Sequence, residues 1–174
     1  MRSRGEISTS GPVVVSFLVR RFLKYWLPVL AWMIFIFIGS TDLMSAEHTS
    51  RFLVPFLRWV APDISTATIA SIQLLVRKGA HLTEYAILAA LLYRGFRQGR
   101  DDFWRAATAA LVVAAAYASL DEFHQSFVAS RTGTPRDVMI DTCGAMIGLA
   151  LCVVFRRKKR GERPSDLCPP TSVR

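Results

Sequence analysis

The stretch SLDEFHQSFVASRTGTPRDVMID, Ser119–Asp141, sets seven acidic, basic or imidazole side chains (Asp121, Glu122, His124, Arg131, Arg136, Asp137 and Asp141) between two runs of almost purely apolar sequence. Its centre, ASRTGTPR, is a turn by composition. Upstream lies WRAATAALVVAAAYASL, Trp104–Leu120, and downstream VMIDTCGAMIGLALCVVF, Val138–Phe155, which RRKKR follows. Each run has roughly the length a helix needs to cross a bilayer. The quoted stretch is therefore read as a polar turn joining two membrane helices at one face of the membrane.

Working outward, a second polar cluster, RKGAHLTEY at Arg77–Tyr85, runs into AILAALLY and exits at Arg94, with Ser65 or Thr66 as the cap of its helix. The segment Arg94–Arg105, with its glycines and four arginines, is a loop. Nearer the N-terminus, WLPVLAWMIFIFIG at Trp26–Gly39, extended by Phe22 and Leu23, makes a first span. Lys24 snorkels at its edge, and Pro28 falls in its first turns, where it is tolerated. The run Val13–Val19 is too short to cross by itself. MSA at Met44–Ala46 would suit a signal-peptide cleavage site, but the long region before the run and the further spans favour a retained anchor. Between the first two spans, TSRFLVPFLRWVAP at Thr49–Pro62 has Phe52, Leu53, Phe56, Leu57 and Val60 at helical spacing, with Pro55 early and Pro62 as the stop. The expected fold is all-α: an integral membrane four-helix bundle with a short amphipathic interfacial helix between the first two spans. Residues 1–21 form a cytoplasmic tail, 22–155 the membrane domain and 156–174 a basic, disordered cytoplasmic tail.

Composition agrees with this class. Of 174 residues 52% are hydrophobic, and the mean hydropathy of +0.31 exceeds that of ordinary soluble domains. The net charge of +9 sits in the gaps between apolar runs, without the basic-aromatic pattern of a nucleic-acid surface. Sixteen of the 22 lysines and arginines precede the first span, lie in Arg94–Arg105 or follow the last span. By the positive-inside rule these segments, and both termini, belong in the cytoplasm, and both polar clusters face outside. Cys143 and Cys152 are separated by about 13 Å of helical rise, too far for a disulfide.

Helical periodicity gives each cluster a face. Arg77, His81 and Glu84, and likewise Lys78, His81 and Tyr85, recur at three and four residues; Asp121 shares a face with His124 and Gln125. Asp137 and Asp141 are one turn apart, and Gly144 and Gly148 continue that face as a small-xxx-small pattern suited to close helix packing. His81, Glu84 and Asp141 lie about a turn inside their apolar runs, where an unpaired charge costs about 2.5 kcal/mol or more. They need partners or a wet cavity. Ion pairs of Arg131 with Glu122 or Asp137, or of Lys78 with Asp141, would satisfy them in a purely structural network. Neither HExxH nor GxSxG occurs, no cofactor motif is present, and no metal site is expected.

In order, RKxxHxxEY at Arg77–Tyr85, DExHQ at Asp121–Gln125, Arg131, and DxxxDxxGxxxG at Asp137–Gly148 resemble the VanZ-like family of membrane proteins. The resemblance runs from about Trp26 to Phe155. It implies a four-helix integral membrane protein, and it brings an association with low-level teicoplanin resistance from the name-giving member. By that resemblance Lys78, His81, Glu84, Tyr85, Asp121, Glu122, His124, Gln125, Arg131, Asp137 and Asp141 are the polar positions; Asp141 stands where Asn is common in the family. Three functions stay open at this point. One is an outward polar site that binds a lipid head group or cell-wall precursor, with Arg131 and Arg136 suited to phosphate or carboxylate. Another is a membrane hydrolase or transferase acting on a lipid-linked substrate, with His81 or His124 as acid-base and the carboxylates as metal ligands. The last is an accessory subunit of an envelope assembly, using the Gly144/Gly148 face and the basic tail.

Overall fold

The computed structural model describes residues 11–41, 46–98, 102–127 and 135–161, and all of its regular structure is helical. Six helices follow one another: α1 Gly11–Tyr25, α2 Leu27–Gly39, α3 Ala46–Val60, α4 Thr66–Arg97, α5 Phe103–Gln125 and α6 Pro135–Gly161.

α1 and α2 are nearly one helix. Trp26 interrupts them, yet its N–H bonds Phe22 O at 2.8 Å and its carbonyl accepts from Leu30 N at 2.9 Å. The interruption has a cause in Pro28, which has no N–H to give Lys24 O four residues back. Arg94 supplies the missing donor, its Nη2 lying 3.0 Å from that carbonyl. Val13–Val19, too short to span by itself, thus belongs to a continuous apolar helix, and Val15–Gly39 is 25 residues long.

The other helices outrun the sequence expectations at their ends. α4 continues to Arg97, α5 from Phe103 to Gln125 and α6 from Pro135 to Gly161, because the arginines, lysines, glutamate and glutamine at these ends are good helix formers and Pro135 falls at the first position of α6, where its missing N–H costs nothing. The basic run Arg156–Arg160, expected to be disordered, is the end of α6, where cations suit the negative end of the helix dipole. Ser65 caps α4, accepting from Thr68 N at 3.1 Å. Asp102 caps α5, accepting from Arg105 N at 3.2 Å. In α3, Pro55 sits in the interior rather than the first turns.

Among the described residues three helical stretches are long and apolar enough to cross a membrane: Val15–Gly39, Phe103–Gln125 and Pro135–Lys158. α4, at 32 residues, has the length, but Arg77, Lys78, His81 and Glu84 make its middle too polar to qualify. It is nonetheless central. Gly144 and Gly148 of α6 press on its backbone: a Cβ on Gly144 would come within 2.9 Å of Leu82 Cα, and one on Gly148 within 2.8 Å of Ala86 Cα. These pairings rise in number together, so α4 and α6 run parallel. α5 brings a stripe of buried alanines, Ala106, Ala110, Ala114 and Ala118, to the interior. Tyr117 of α5 donates to Met33 O at 2.6 Å and so ties α5 to α2. Buried Leu88, Leu92 and Tyr93 of α4, with Val29 and Ile36 of α2, complete the core.

The outer surface inverts the pattern of a water-soluble bundle. Ile34, Phe37, Val112, Phe123, Leu151 and Phe155 all point outward, while alanines and polar side chains share the centre with Leu88, Leu92 and Ile36. A contiguous apolar shell of this kind is stable against lipid rather than water. At the end away from the polar residues, Arg21 Nη2 donates to Gln98 O at 3.3 Å and to its Oε1 at 3.2 Å. That clamp holds Gln98 at φ 23, a backbone conformation that L residues rarely adopt.

Candidate functional site

Four helices end or pass at one level. α2 finishes at Gly39, with Ser40 as its C-cap donating its backbone N–H to Ile36 O at 2.8 Å. α5 finishes at Gln125, α6 starts at Pro135, and α4 passes through with Lys78, His81 and Tyr85 on successive turns. The helix ends therefore gather Ser40, Asp121, Glu122, Gln125, Asp137 and Asp141, all buried.

The cluster is layered. Outermost, the Lys78 ammonium pairs with Asp137 Oδ1, and its side chain keeps 31% of its surface exposed. One turn inward, His81 Nδ1 stands 3.4 Å from Asp141 Oδ1. This is within ion-pair reach but outside hydrogen-bonding geometry. Across from them, the Ser40 hydroxyl donates to Asp121 Oδ2 at 2.7 Å. Gln125 Nε2 donates to Ser40 Oγ and to Asp121 Oδ2, both at 3.2 Å. Tyr85 is fully buried below, within electrostatic reach of Asp121 and Asp141. Asp121 in turn feels His81 and Asp141, and Lys78 feels Glu122 and Asp141, so the layers form one electrostatic unit.

Of the residues singled out in the sequence, all but Arg131 lie among the described residues. Lys78, His81, Tyr85, Asp121, Glu122, Gln125, Asp137 and Asp141 come together. His124 is at the edge, its ring 4.7 Å from that of Phe37. Glu84 is half-buried, and its backbone carbonyl accepts from Trp32 Nε1 at 2.9 Å. Arg131 lies outside the described residues, so its expected pairs with Glu122 or Asp137 do too. Lys78 takes Asp137 rather than Asp141, the partner considered from sequence, because the parallel register of α4 and α6 sets those two at one level. Arg136 is exposed on the first turn of α6. Among the described residues no three His, Cys, Asp or Glu side chains converge as metal ligands would. Gly144 and Gly148 are taken up against α4, which leaves an accessory subunit without that face for an outside partner.

Ser40 was missed by the sequence reading. Its signal was faint: a lone hydroxyl residue directly after the last apolar residue of the first span. Ser40→Ala would deprive the buried Asp121 of its shortest hydrogen bond. It is expected to cost about 1–3 kcal/mol, read as a lower unfolding midpoint in mild detergent; an unchanged midpoint would mean the hydroxyl contributes nothing.

Several acceptors keep unused capacity. Asp121 Oδ1, both carboxylate oxygens of Asp141, Gln125 Oε1 and the Tyr85 hydroxyl have no hydrogen-bond partner among the described residues. Buried polar groups in that state each cost about 1–3 kcal/mol, more if charged.

An apolar outer shell around a buried polar cluster defines an all-helical membrane protein. The VanZ/LLP1 family model matches residues 25–156, more than half of the chain, and the protein belongs to that family. Comparison with curated proteins and with solved structures gives no match.

Proposed function

We propose that this protein crosses the bacterial cytoplasmic membrane four times, with α4 from Lys78 onward as the second span and both termini in the cytoplasm. In this reading its outward polar cluster binds the head group of a lipid or of a lipid-linked cell-wall precursor, and so influences envelope or glycopeptide (teicoplanin) susceptibility. From Lys78 to Arg97 is 20 residues, about 30 Å of helix and one bilayer core. α2 and α5 run toward the cluster while α4 and α6 run away from it, which suits alternating spans. The cations Arg20, Arg21, Lys24, Arg94, Arg97 and Arg105 gather at the opposite end, as the positive-inside rule asks of a cytoplasmic face. α3, with Phe52, Phe56 and Trp59 exposed along one side, fits a helix lying in the head-group region.

The observation that carries this reading is the set of buried, under-satisfied polar side chains drawn from three spans to one end. Polar residues inside a bilayer are costly and usually serve a ligand or a partner. Reporter fusions after Gly133 are expected to read outside, and fusions after Gly161 inside. Native mass spectrometry of the full chain in mild detergent is expected to retain lipid on the wild type and to lose it in Asp121→Asn. A cytoplasmic reporter after Gly133, or a wild type that carries no lipid, would overturn the proposal.

A further inference from the structure

At the end of the bundle away from the polar cluster, three exposed cations, Arg20, Lys24 and Arg94, have no carboxylate partner among the described residues. The one described carboxylate at this end, Asp102, is held by Arg105 at 3.0 Å. Arg21 is turned aside to Gln98. The remaining cations are built around one ring. Lys24 Nζ lies 5.5 Å and Arg94 Cζ 5.8 Å from the centroid of Tyr25, each within cation–π range. The Arg94 guanidinium is fixed further by the Lys24 carbonyl, 3.0 Å from its Nη2. Arg20 stands one turn before Lys24 on the same face of α1. Like charges gathered in this way repel, and an anion between them relieves the repulsion.

The helix face beneath these cations says what carries the anion. Arg20, Leu23, Lys24 and Leu27 share a face by spacing, and Leu30 and Ile34 continue it past the interruption at Trp26. Leu23, Leu27, Leu30 and Ile34 are all exposed. From Lys24 to Ile34 the helix rises about 15 Å, roughly half of a bilayer core. A soluble phosphate would meet the cations and leave this stripe unused. A phospholipid meets both, with its phosphate at the cations and an acyl chain along the stripe.

We infer that Arg20, Lys24 and Arg94 hold the head group of an anionic phospholipid, the phosphate accepting from the Arg94 guanidinium and the Lys24 ammonium. Arg94 spends one donor on the Lys24 carbonyl and keeps the others for the phosphate. A head group with an ammonium of its own, as in phosphatidylcholine, brings a like charge among three cations. The hydroxyls of phosphatidylglycerol bring none. This site is at the opposite end from the outward cluster and does not rest on the ligand proposed there.

The test uses the full-length chain in mild detergent, titrated in native mass spectrometry with phosphatidylglycerol and phosphatidylcholine of identical acyl chains. Phosphatidylglycerol should be retained about tenfold more strongly, since each cation beside an anionic lipid surface is worth roughly fivefold. The preference should fall to about twofold or less in the double variant Arg20→Gln/Lys24→Gln, which leaves Arg94 and its bond to the backbone carbonyl of residue 24 in place. It should persist in Arg157→Gln/Lys158→Gln, which removes the same charge from exposed positions on α6. Glycerol phosphate at millimolar concentration should leave the lipid bound. Equal retention of the two lipids, a preference that survives Arg20→Gln/Lys24→Gln, or one lost equally in both double variants would overturn the site. Displacement by glycerol phosphate would overturn the lipid in favour of phosphate alone. Asp121→Asn separates this site from the outward cluster: it should cost one retained lipid there and leave the preference here unchanged.

Discussion

Gly148→Leu is expected to abolish assembly of the bundle, and Gly148→Ala to weaken it by about 1–3 kcal/mol, the range for overpacking a close interface. A Cβ at this position meets the α4 backbone, 2.8 Å from Ala86 Cα, and a backbone cannot swing aside as a flexible side chain does. In lipid the consequence is larger than a local clash. Helices there associate through close packing and hydrogen bonds, because the surrounding tails are as apolar as leucine. Separating α4 from α6 also pulls Lys78 from Asp137 and His81 from Asp141. Gly79→Ala is the internal control. Nothing stands within 4 Å of its would-be Cβ, so the gain in helix propensity, about 1 kcal/mol, should show as unchanged or higher stability. Thermal unfolding in detergent checks both substitutions. Gly148→Leu matching the wild type would mean that α4 and α6 are not in backbone contact.

Tyr85→Ala is expected to lose about 3–5 kcal/mol, as emptying a sealed aromatic site does. The ring is fully buried, lies 6.4 Å centroid to centroid from Tyr117, and stands between the polar layers and the alanine-lined core. Tyr85→Phe separates the ring from its hydroxyl. Because that hydroxyl has no hydrogen-bond partner among the described residues, removing it should leave stability unchanged or slightly raised. A Phe variant that unfolds like the Ala variant would show that the hydroxyl has a structural partner.

Much of this was readable in the chain, because periodicity fixes which residues share a helix face. His81 and Tyr85, Asp121 and Gln125, and Asp137 and Asp141 are each one turn apart, and each pair turns inward. The small-xxx-small spacing of Gly144 and Gly148 marked a face for close approach, though not whose backbone would fill it. Register between helices is what spacing cannot supply. Lys78 has two carboxylates one turn apart on α6 within its reach, and only the parallel alignment of α4 with α6 selects Asp137. Hydropathy falls at Arg94, Leu120 and Phe155, yet the helices run on to Arg97, Gln125 and Gly161, because loss of hydropathy is not loss of helix. Residues such as Asp121–Gln125 leave the apolar core without leaving the helix. Ser40 was passed over for a related reason: a single hydroxyl at the end of a span gains meaning only through Asp121, 81 positions later in the chain.

α4 has no break along its 32 residues, about 48 Å. Its first three turns run past the start of α6, where α3 packs along them with Ser50 accepting from Gln73 Nε2 at 2.9 Å. The same rigid rod then forms a wall of the polar site and ends in the arginines of the opposite face. In mechanical terms it is a lever whose fulcrum is the pair of glycines on α6. Tilting the α3 arm would shift Lys78 relative to Asp137 more than it would His81 or Tyr85, which sit beside the fulcrum, and would swing Arg94 at the far end in the opposite sense.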